Sequence, residues 1–476
     1  MSSKSPIWFG PISNGEYPPT AAPHAAQAEE LVGELATRHA RRLGMDRRAF
    51  LAGPLGTAAA LFAISKLTGC STSDENPYDS VTEDLVCDED AARELLGGDE
   101  FILDAQLHHV NPDDADWQSP GWVAFLEYLG AESGCEEPDS LACFSRDAFL
   151  HEVFVASDTT VGLVSAVPAL PEDSPLDNDE MQDTMLLVNE LAASQRCVAH
   201  AGVFPNVGQD HIDSMSALLE RLEIVAWKTY TGFEHGDSSG WFLDDDVGAA
   251  FLDNVMACGG PRVVCIHKGL NLGGDATYYS PRDMGPAALA WPEIQLVAYH
   301  SGFESSLTEG AFDEADPQGV DRLIATVLEA GFAPDQGNVW AEMGSTWQIL
   351  MQRPTQAAHY LGKLLKYLGP ERILWGTDCI WYGSPQPQIE AFRAFSIPES
   401  MQEEFGYPAL TQDTKARILG LNAAGLFGVD PDLARCTLSE DSELAARRER
   451  WQHYKHLGPR VYGPRDLPSL RRLIGA

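Results

Sequence analysis

The chain of 476 residues carries 71 Asp and Glu against 32 Lys and Arg, giving a formal net charge of −39 at pH 7. Apolar residues make up 44% and charged residues 22%, a composition typical of a globular protein and not of a disordered one. The negative charge excludes a nucleic-acid binder that depends on bulk electrostatics, because the phosphate backbone would repel it. It also disfavours adsorption to anionic lipid surfaces.

An apolar stretch near the N-terminus has the features of an export signal. Arg47 and Arg48 precede the apolar residues 49–65, which are too few to span a bilayer, since a span needs roughly 20 residues. The arginine pair, followed by Phe50 and Leu51, resembles a twin-arginine signal. We therefore expect an exported protein, located in the periplasm or at the cell surface. An ordinary N-terminal helix is the alternative interpretation of the same residues.

The end of this stretch, Leu-Thr-Gly-Cys at 67–70, resembles a lipobox with Cys70 as the lipidated residue. A lipid anchor at Cys70 is the one membrane contact that the sequence predicts. On this interpretation residues 1–69 are the signal and leader, and the polar, acidic residues 70–99 are a tether.

The nine cysteines include no Cys-x-x-Cys pair, so the sequence supports neither a zinc ribbon nor a thioredoxin-like site. Cys135 and Cys143 lie in a polar loop and are candidates for a disulfide in an oxidising compartment, with Cys87 and Cys436 as further candidates.

From about residue 100, short apolar runs rich in β-branched and aromatic residues alternate with segments of helical periodicity. Such alternation is typical of parallel strands joined by crossover helices, and eight units over 100–430 predict an α/β fold, a (β/α)8 TIM barrel. Residues 431–476 are expected to be a C-terminal tail that packs on the barrel. The predicted strands are 101–105, 161–167, 197–203, 224–230, 262–267, 295–300, 338–342 and 373–378; the predicted helices include 181–195, 210–222, 319–330 and 354–368.

Polar side chains occur at the C-terminal ends of several predicted strands, where (β/α)8 barrels carry their chemistry. Any one of them would most often be a structural residue, but three imidazoles and a carboxylate at four separate strand ends indicate a site. Imidazole nitrogen and carboxylate oxygen together suit zinc, manganese or iron. These residues are Asp104, Gln106, His108 and His109 at the first strand, followed by Lys228, His267, His300 and Asp378.

This set resembles the amidohydrolase superfamily, in particular the metal-dependent branch that includes aminocarboxymuconate-semialdehyde decarboxylase and dicarboxylic lactonases. The first-strand motif of that family is an acid followed by His-x-His, and the present chain has Asp104, Gln106 and His108 in those places. His267, His300 and Asp378 are similar to the residues that end its fifth, sixth and eighth strands, and 415–428 resembles its last helix.

The resemblance implies one divalent metal, zinc or manganese, held by His108, His267 and Asp378. Gln106 replaces an imidazole ligand by an amide, which is a poorer ligand for zinc, so we expect a weak or indirect contact there. The resemblance also implies that Asp378 accepts a proton from water and that His300 polarises or protonates a substrate oxygen.

We expect Lys228, His109 and Trp381 to contact a small-molecule substrate. Lys228 is either a carbamylated lysine, as in some relatives, or, as we prefer, a cation facing a substrate carboxylate or an internal ion pair. Further aromatic residues near strand ends are candidates for the pocket wall or for barrel packing: Trp227, Tyr230, Phe233, Trp347 and Tyr382.

The activity predicted is hydrolysis of a lactone, ester or amide, or decarboxylation of a small carboxylated substrate. Two alternatives stay open: a catalytically silent barrel that serves as an exported binding lipoprotein, and a metal-free enzyme. A homodimer is expected only because barrels of this kind often pair.

Overall fold

The computed structural model describes residues 5–10, 22–68, 75–114, 116–119, 121–124, 126–127, 140–436 and 442–454. Cys70 and Cys135, and the tail beyond Tyr454, lie outside the described residues. The predicted lipid anchor is therefore not described. Cys143 is disulfide-bonded, whereas Cys87 is a free thiol.

Eight parallel strands follow one another around a barrel in the order in which they occur in the sequence. The segment of the eighth strand returns to the first strand through backbone hydrogen bonds: Ala105 N donates to Trp375 O at 3.0 Å and Asp378 N donates to Gln106 O at 2.9 Å. The (β/α)8 barrel is thereby confirmed. The strands are β1 (Leu103–Leu107), β2 (Val161–Val164), β3 (Cys197–Gly202), β4 (Ala226–Tyr230), β5 (Val263–His267), β6 (Gln295–Tyr299), β7 (Val339–Glu342) and β8 (Ile373–Leu374).

Helices follow most strands and cover the outside of the barrel. The four predicted helices are found within a few residues of their expected bounds, except that 210–222 is divided into two helices at Ser214. The α-helices are α1 (Ala25–Leu43), α2 (Arg47–Ala52), α3 (Pro54–Thr68), α4 (Glu89–Leu96), α5 (Arg146–Phe149), α6 (Asn178–Ala192), α7 (Gln209–Asp213), α8 (Met215–Arg221), α9 (Asp246–Ala257), α10 (Met284–Ala290), α11 (Val320–Glu329), α12 (Thr346–Leu350), α13 (Pro354–Tyr367), α14 (Gln386–Ala394), α15 (Glu399–Phe405), α16 (Gln412–Ala416), α17 (Asn422–Phe427), α18 (Pro431–Cys436) and α19 (Glu443–Tyr454).

The alternation of side chains along each strand decides which residues reach the site. Val263 and Cys265 of β5 pack in the barrel interior with Val297 and Leu374, whereas Val264 belongs to the layer between strands and helices. Because successive side chains point to opposite faces, His267 lies on the same face as Cys265, at the end of the strand.

The apolar stretch near the N-terminus forms α3, which is packed against other helices. Ten of its fifteen residues are buried, from Pro54 to Ile64, and it contacts α1, α4, α13 and α14. No helix among the described residues is both long and apolar enough to cross a membrane. Export stays a prediction, and these residues are in this structure part of the hydrophobic core.

The segment expected to be a tether and the start of the C-terminal extension also contact the barrel. Tyr78 is fully buried, and its hydroxyl donates to Met351 O at 3.1 Å. At the other end, Arg448 of α19 donates from Nε to Phe154 O at 2.6 Å.

A buried ion pair connects the end of β5 to the loop that precedes α10. Lys268 Nζ donates to Asp283 Oδ2 at 2.9 Å, and both side chains are fully buried. Lys268 also donates to Ser280 O at 3.1 Å, and Asp283 accepts from Leu243 N at 2.8 Å. This pair holds the loop next to His267, the residue that precedes Lys268.

We predict that Leu61→Ala in the full-length chain lowers the free energy of unfolding by about 2–5 kcal/mol, because Leu61 is fully buried in α3. Lys66→Ala, in the same helix but exposed, is the control and should change it by less than about 0.5 kcal/mol. Urea unfolding measures both. Equal stability of the two variants would mean that α3 is not part of the folded core.

We predict that Lys268→Met lowers the free energy of unfolding, measured by urea unfolding, by about 3–5 kcal/mol. The reason is that the variant leaves Asp283 charged and buried without its partner. Arg93→Met, which removes the exposed pair between Arg93 and Glu89, should cost at most about 1 kcal/mol. A smaller loss in Lys268→Met than in Arg93→Met would contradict the assignment of Lys268 as a structural residue.

Candidate active site

Five of the predicted site residues meet at the C-terminal end of the barrel. They come from the ends of four strands, β1, β5, β6 and β8, and each is at most 2% exposed. They form two pairs of facing side chains with an amide beside the first pair: His108 with Asp378 and the amide of Gln106, and His267 with His300.

The first pair joins β1 to the segment after β8. His108 Nε2 lies 3.0 Å from Asp378 Oδ1, and Gln106 Nε2 donates to the same oxygen at 3.1 Å. On its other side the His108 ring meets the carbonyl oxygen of Ser165, 2.7 Å from Nδ1. A carbonyl oxygen only accepts, so Nδ1 carries a proton, and Nε2 is the nitrogen that faces the Asp378 carboxylate.

The second pair joins β5 to the turn after β6. His267 Nδ1 and His300 Nε2 are 3.1 Å apart. The other nitrogen of each ring faces a carbonyl oxygen: His267 Nε2 lies 3.0 Å from Leu270 O, and His300 Nδ1 lies 2.7 Å from Gly344 O. Each of these outer nitrogens therefore carries a proton, and the two facing nitrogens of the neutral rings are both acceptors.

Burial keeps both rings of the second pair neutral. Desolvation lowers the pKa of His300 to about 4 and lowers the pKa of His267 well below its usual value, where the neighbouring His300 adds to the effect. Two lone pairs facing each other without a hydrogen between them repel. Such an arrangement is stabilised when a cation is shared between the two nitrogens.

Asp378 is oriented by a chain of hydroxyl groups. Ser345 Oγ donates to Asp378 Oδ2 at 2.5 Å, and the Tyr382 hydroxyl lies 2.8 Å from the same Oγ. Burial acts to raise the pKa of Asp378, but the hydrogen bond and charge of His108, with smaller effects of His300 and Ser345, outweigh burial and hold the pKa below its usual value. Asp378 is thus a carboxylate.

Backbone strain is concentrated at this site. His300, Ser301, Ser345 and Asp378 all have positive φ angles, between 53° and 64°, a region that residues with side chains rarely adopt. Strain of this kind persists where the surrounding structure imposes it, and it is typical of functional sites.

Lys228 lies in the barrel interior and not on the cleft. Its Nζ is 3.6 Å from the ring centre of Tyr299 and 4.8 Å from that of Tyr230, and it has no hydrogen-bond partner among the described residues. Burial lowers the pKa of Lys228 to about 8, and burial likewise raises the pKa of Glu342 to about 8. Glu342 accepts from the backbone nitrogens of His300 and Gly344 and so helps to hold the turn that carries His300.

Trp381 lines the cleft, whereas His109 does not. The Trp381 ring stacks on His108 with centroids 5.3 Å apart and planes at 15°. His109 points away: its Nε2 lies 2.8 Å from Thr184 Oγ1, and its ring packs on Phe149.

The cleft above the two pairs has mostly apolar walls, and its empty space is about 340 Å³ when the open solvent at its mouth is included. Tyr230 stacks on His267 with centroids 5.1 Å apart, so each pair has an aromatic ring beside it. Trp227 and Trp347, in contrast, are fully buried core residues. The cleft is lined by Gln106, His108, Trp122, Val167, Pro168, Tyr230, His267, Leu272, Asp378 and Trp381.

Ser345 is the functional candidate that sequence reasoning missed. It follows β7 in the turn Gly344-Ser345, so the rule that barrel chemistry occurs after strand ends was sufficient to find it. Among the described residues, no group of three His, Cys, Asp or Glu side chains is arranged to hold a metal ion in this conformation. The His108–Asp378 pair and the His267–His300 pair therefore lie at the same cleft without forming one cluster of three ligands.

Sequence comparison identifies the family. Residues 178–429 match the family model described as amidohydrolase, which is just over half of the chain, so the chain belongs to the amidohydrolase family. The class of protein that fold and site define is an enzyme of the hydrolase or decarboxylase type. No curated protein sequence matches the chain.

Three solved structures illustrate what the chain is similar to. An uncharacterized TIM-barrel protein from Bordetella bronchiseptica is 13% identical (69% of this chain, 98% of that chain, TM-score 0.47). A 2,6-dihydroxybenzoate decarboxylase complexed with 2,6-dihydroxybenzoate is 16% identical, and the match covers 70% of this chain and 100% of that chain with a TM-score of 0.41. A dihydroxybenzoic acid decarboxylase from a Polaromonas species, with bound manganese and the inhibitor 2-nitroresorcinol, is 14% identical. The match covers 70% of this chain and 98% of that chain with a TM-score of 0.39. With such low identities and scores, the family assignment depends on the family model alone.

We predict that the metal-free chain at pH 8 contains His267 protonated on Nε2 and His300 protonated on Nδ1, as their carbonyl partners require. Long-range 1H–15N correlation spectra of the imidazoles measure this, with His267→Gln and His300→Gln for assignment. His109 is the reference: its Nδ1 lies 3.4 Å from the carbonyl oxygen of Val110, which favours a proton on Nδ1, and the Thr184 hydroxyl can donate to its Nε2. His300 protonated on Nε2 would contradict the arrangement of the second pair.

Proposed function

We propose that the protein is a metal-dependent hydrolase that cleaves the C–O or C–N bond of a small lactone, ester or amide. The observation that carries this proposal is the pairing of two acceptors in a buried site, His267 Nδ1 against His300 Nε2, beside the Asp378 carboxylate and the His108 ring. A cation shared between the two facing nitrogens would stabilise them.

The donor set fits a divalent ion. Imidazole nitrogen and carboxylate oxygen are ligands of zinc and manganese, and the hydrogen bonds from the far side of each ring are the outer contacts that orient such ligands. His108, His267 and Asp378 would hold the ion, with His300 beside them.

A divalent ion at such a site supplies polarisation of a carbonyl oxygen and acidification of a water molecule. The chain's own residues do the rest. Asp378, a carboxylate oriented by Ser345, accepts the proton of the attacking water. The same proton must reach the leaving oxygen or nitrogen, and His300, whose Nε2 is unprotonated, is the acceptor that would take it from Asp378 and deliver it there. Trp381 and Tyr230 form apolar walls that position a ring and exclude bulk water.

Decarboxylation is a second candidate reaction, and Lys228 favours it. Its buried ammonium group has no hydrogen-bond partner among the described residues and lies 4.8 Å from the ring centre of Tyr230 in the cleft wall, so its charge would attract a substrate carboxylate. This is how we propose that Lys228 acts on substrate, since it does not line the cleft itself.

We predict that the purified full-length chain binds about one equivalent of zinc or manganese, and that Asp378→Asn and His267→Ala lose most of it, because each removes a ligand atom. Elemental mass spectrometry after reconstitution and desalting measures the content. His109→Asn is the matched control: this histidine neighbours His108 but points away from the site, so the variant should keep its metal.

The metal-loaded protein should hydrolyse neutral aryl esters or lactones such as 4-nitrophenyl acetate and dihydrocoumarin, with the activity lost in Asp378→Asn. Release of carbon dioxide from 2,6-dihydroxybenzoate, without ester or lactone hydrolysis, would instead favour the second reaction. No bound metal in any sample after reconstitution would exclude both and leave a metal-free enzyme or a binding protein on the same barrel.

A further inference from the structure

The amide of Gln106 lies beside both members of the first pair. Its Nε2 donates to Asp378 Oδ1 at 3.1 Å and is 3.4 Å from His108 Nε2. The side chain is 1% exposed, and its Oε1 is buried with no hydrogen-bond partner among the described residues. A buried amide oxygen without a partner destabilises the fold, because it has lost its hydrogen bonds to water and gained none.

The surroundings leave space for this oxygen. A Cβ atom at Gly344 would collide with Gln106 Oε1 and come within 2.7 Å of Glu342 Oε1. Glycine at 344 therefore leaves room for the amide end of Gln106. The backbone at Gln106 is held as well, because its carbonyl oxygen accepts from Asp378 N at 2.9 Å.

The two ends of the amide have nearly the same shape, so half a turn about its last torsion exchanges them. In the orientation observed, the amino group gives Asp378 Oδ1 a hydrogen. In the other orientation, Oε1 would lie beside Asp378 Oδ1 and His108 Nε2, so that two oxygens and an imidazole nitrogen face one point. A cation between the two oxygens would stabilise that arrangement.

We propose that Gln106 is an oxygen ligand that turns its amide towards a bound metal and shifts the selectivity of the site from zinc towards manganese. The inference rests on the proposed function, since it concerns the same metal. The chemical reason is that amide and carboxylate oxygens suit manganese, whereas imidazole nitrogen suits zinc. Gln106 supplies a second oxygen donor beside the carboxylate of Asp378. An imidazole at the same position would have supplied a nitrogen donor.

The test compares zinc and manganese affinities of the metal-free full-length chain, measured by competition with an indicator chelator. Gln106→His replaces the oxygen by an imidazole and should raise the zinc affinity at least about tenfold more than the manganese affinity. Gln106→Glu is the matched control: it keeps an oxygen donor of the same length, so the ratio of zinc to manganese affinity should stay within about threefold of the wild-type ratio.

An unchanged zinc-to-manganese ratio in Gln106→His would overturn this inference while leaving the metal site in place. Absence of binding of both metals in wild type and variants would overturn the proposed function with it. If circular dichroism shows that Gln106→His does not fold, Gln106→Leu decides: a loss of manganese affinity at least about tenfold larger than that of zinc supports the inference, and equal losses overturn it.

Discussion

The hydrogen bonds between β8 and β1 are the interaction on which the site depends. His108 N donates to Cys379 O at 2.6 Å, and Ile380 N donates to His108 O at 3.1 Å, so the segment after β8 continues the barrel although β8 itself is only two residues long. This closure brings Asp378 next to His108 and Gln106, which are some 270 residues away in the sequence. Without it the first pair would not exist.

Once the barrel is closed, the chemistry of the site follows from burial. The carbonyl oxygens of Ser165, Leu270 and Gly344 accept a hydrogen bond from the outer nitrogen of each imidazole, which leaves the inner nitrogens of His267 and His300 as acceptors. The strained turns at His300, Ser345 and Asp378 point these groups inward against the preference of the backbone. The same residues would be poorly placed in a relaxed loop.

The barrel and most of the site were predictable from the sequence. Parallel strands covered on both faces are continuous apolar runs, and a histidine or aspartate that ends such a run is conspicuous. Strand bounds were less exact: β1 begins at Leu103, two residues later than predicted, because Phe101 and Ile102 are as apolar as the strand itself. Sequence reasoning also expected His109 on the substrate side, although the alternation along β1 turns it towards Thr184.

Other features depend on tertiary contacts that composition does not contain. An alanine-rich apolar segment is compatible both with an export signal and with a buried helix, and only the packing of α3 on α13 and α14 shows the second use. The sequence places a lysine at the end of the fourth strand. It does not show that the ammonium group of Lys228 lies against two tyrosine rings beneath the cleft. Ser345 was missed because a serine after a glycine is also a common turn residue.

The packing of α3 has a consequence for biosynthesis. α3 packs against α1, α2 and α4, which are made at nearly the same time, and against α13 and α14, which begin only at Pro354 and Gln386. At about 5–20 residues per second, the delay between Thr68 and Pro354 is roughly 15–60 s. During that interval the apolar surface of α3 that α13 and α14 cover stays exposed. The N-terminal helices can therefore pack with one another during synthesis, but they can join the barrel only near its end.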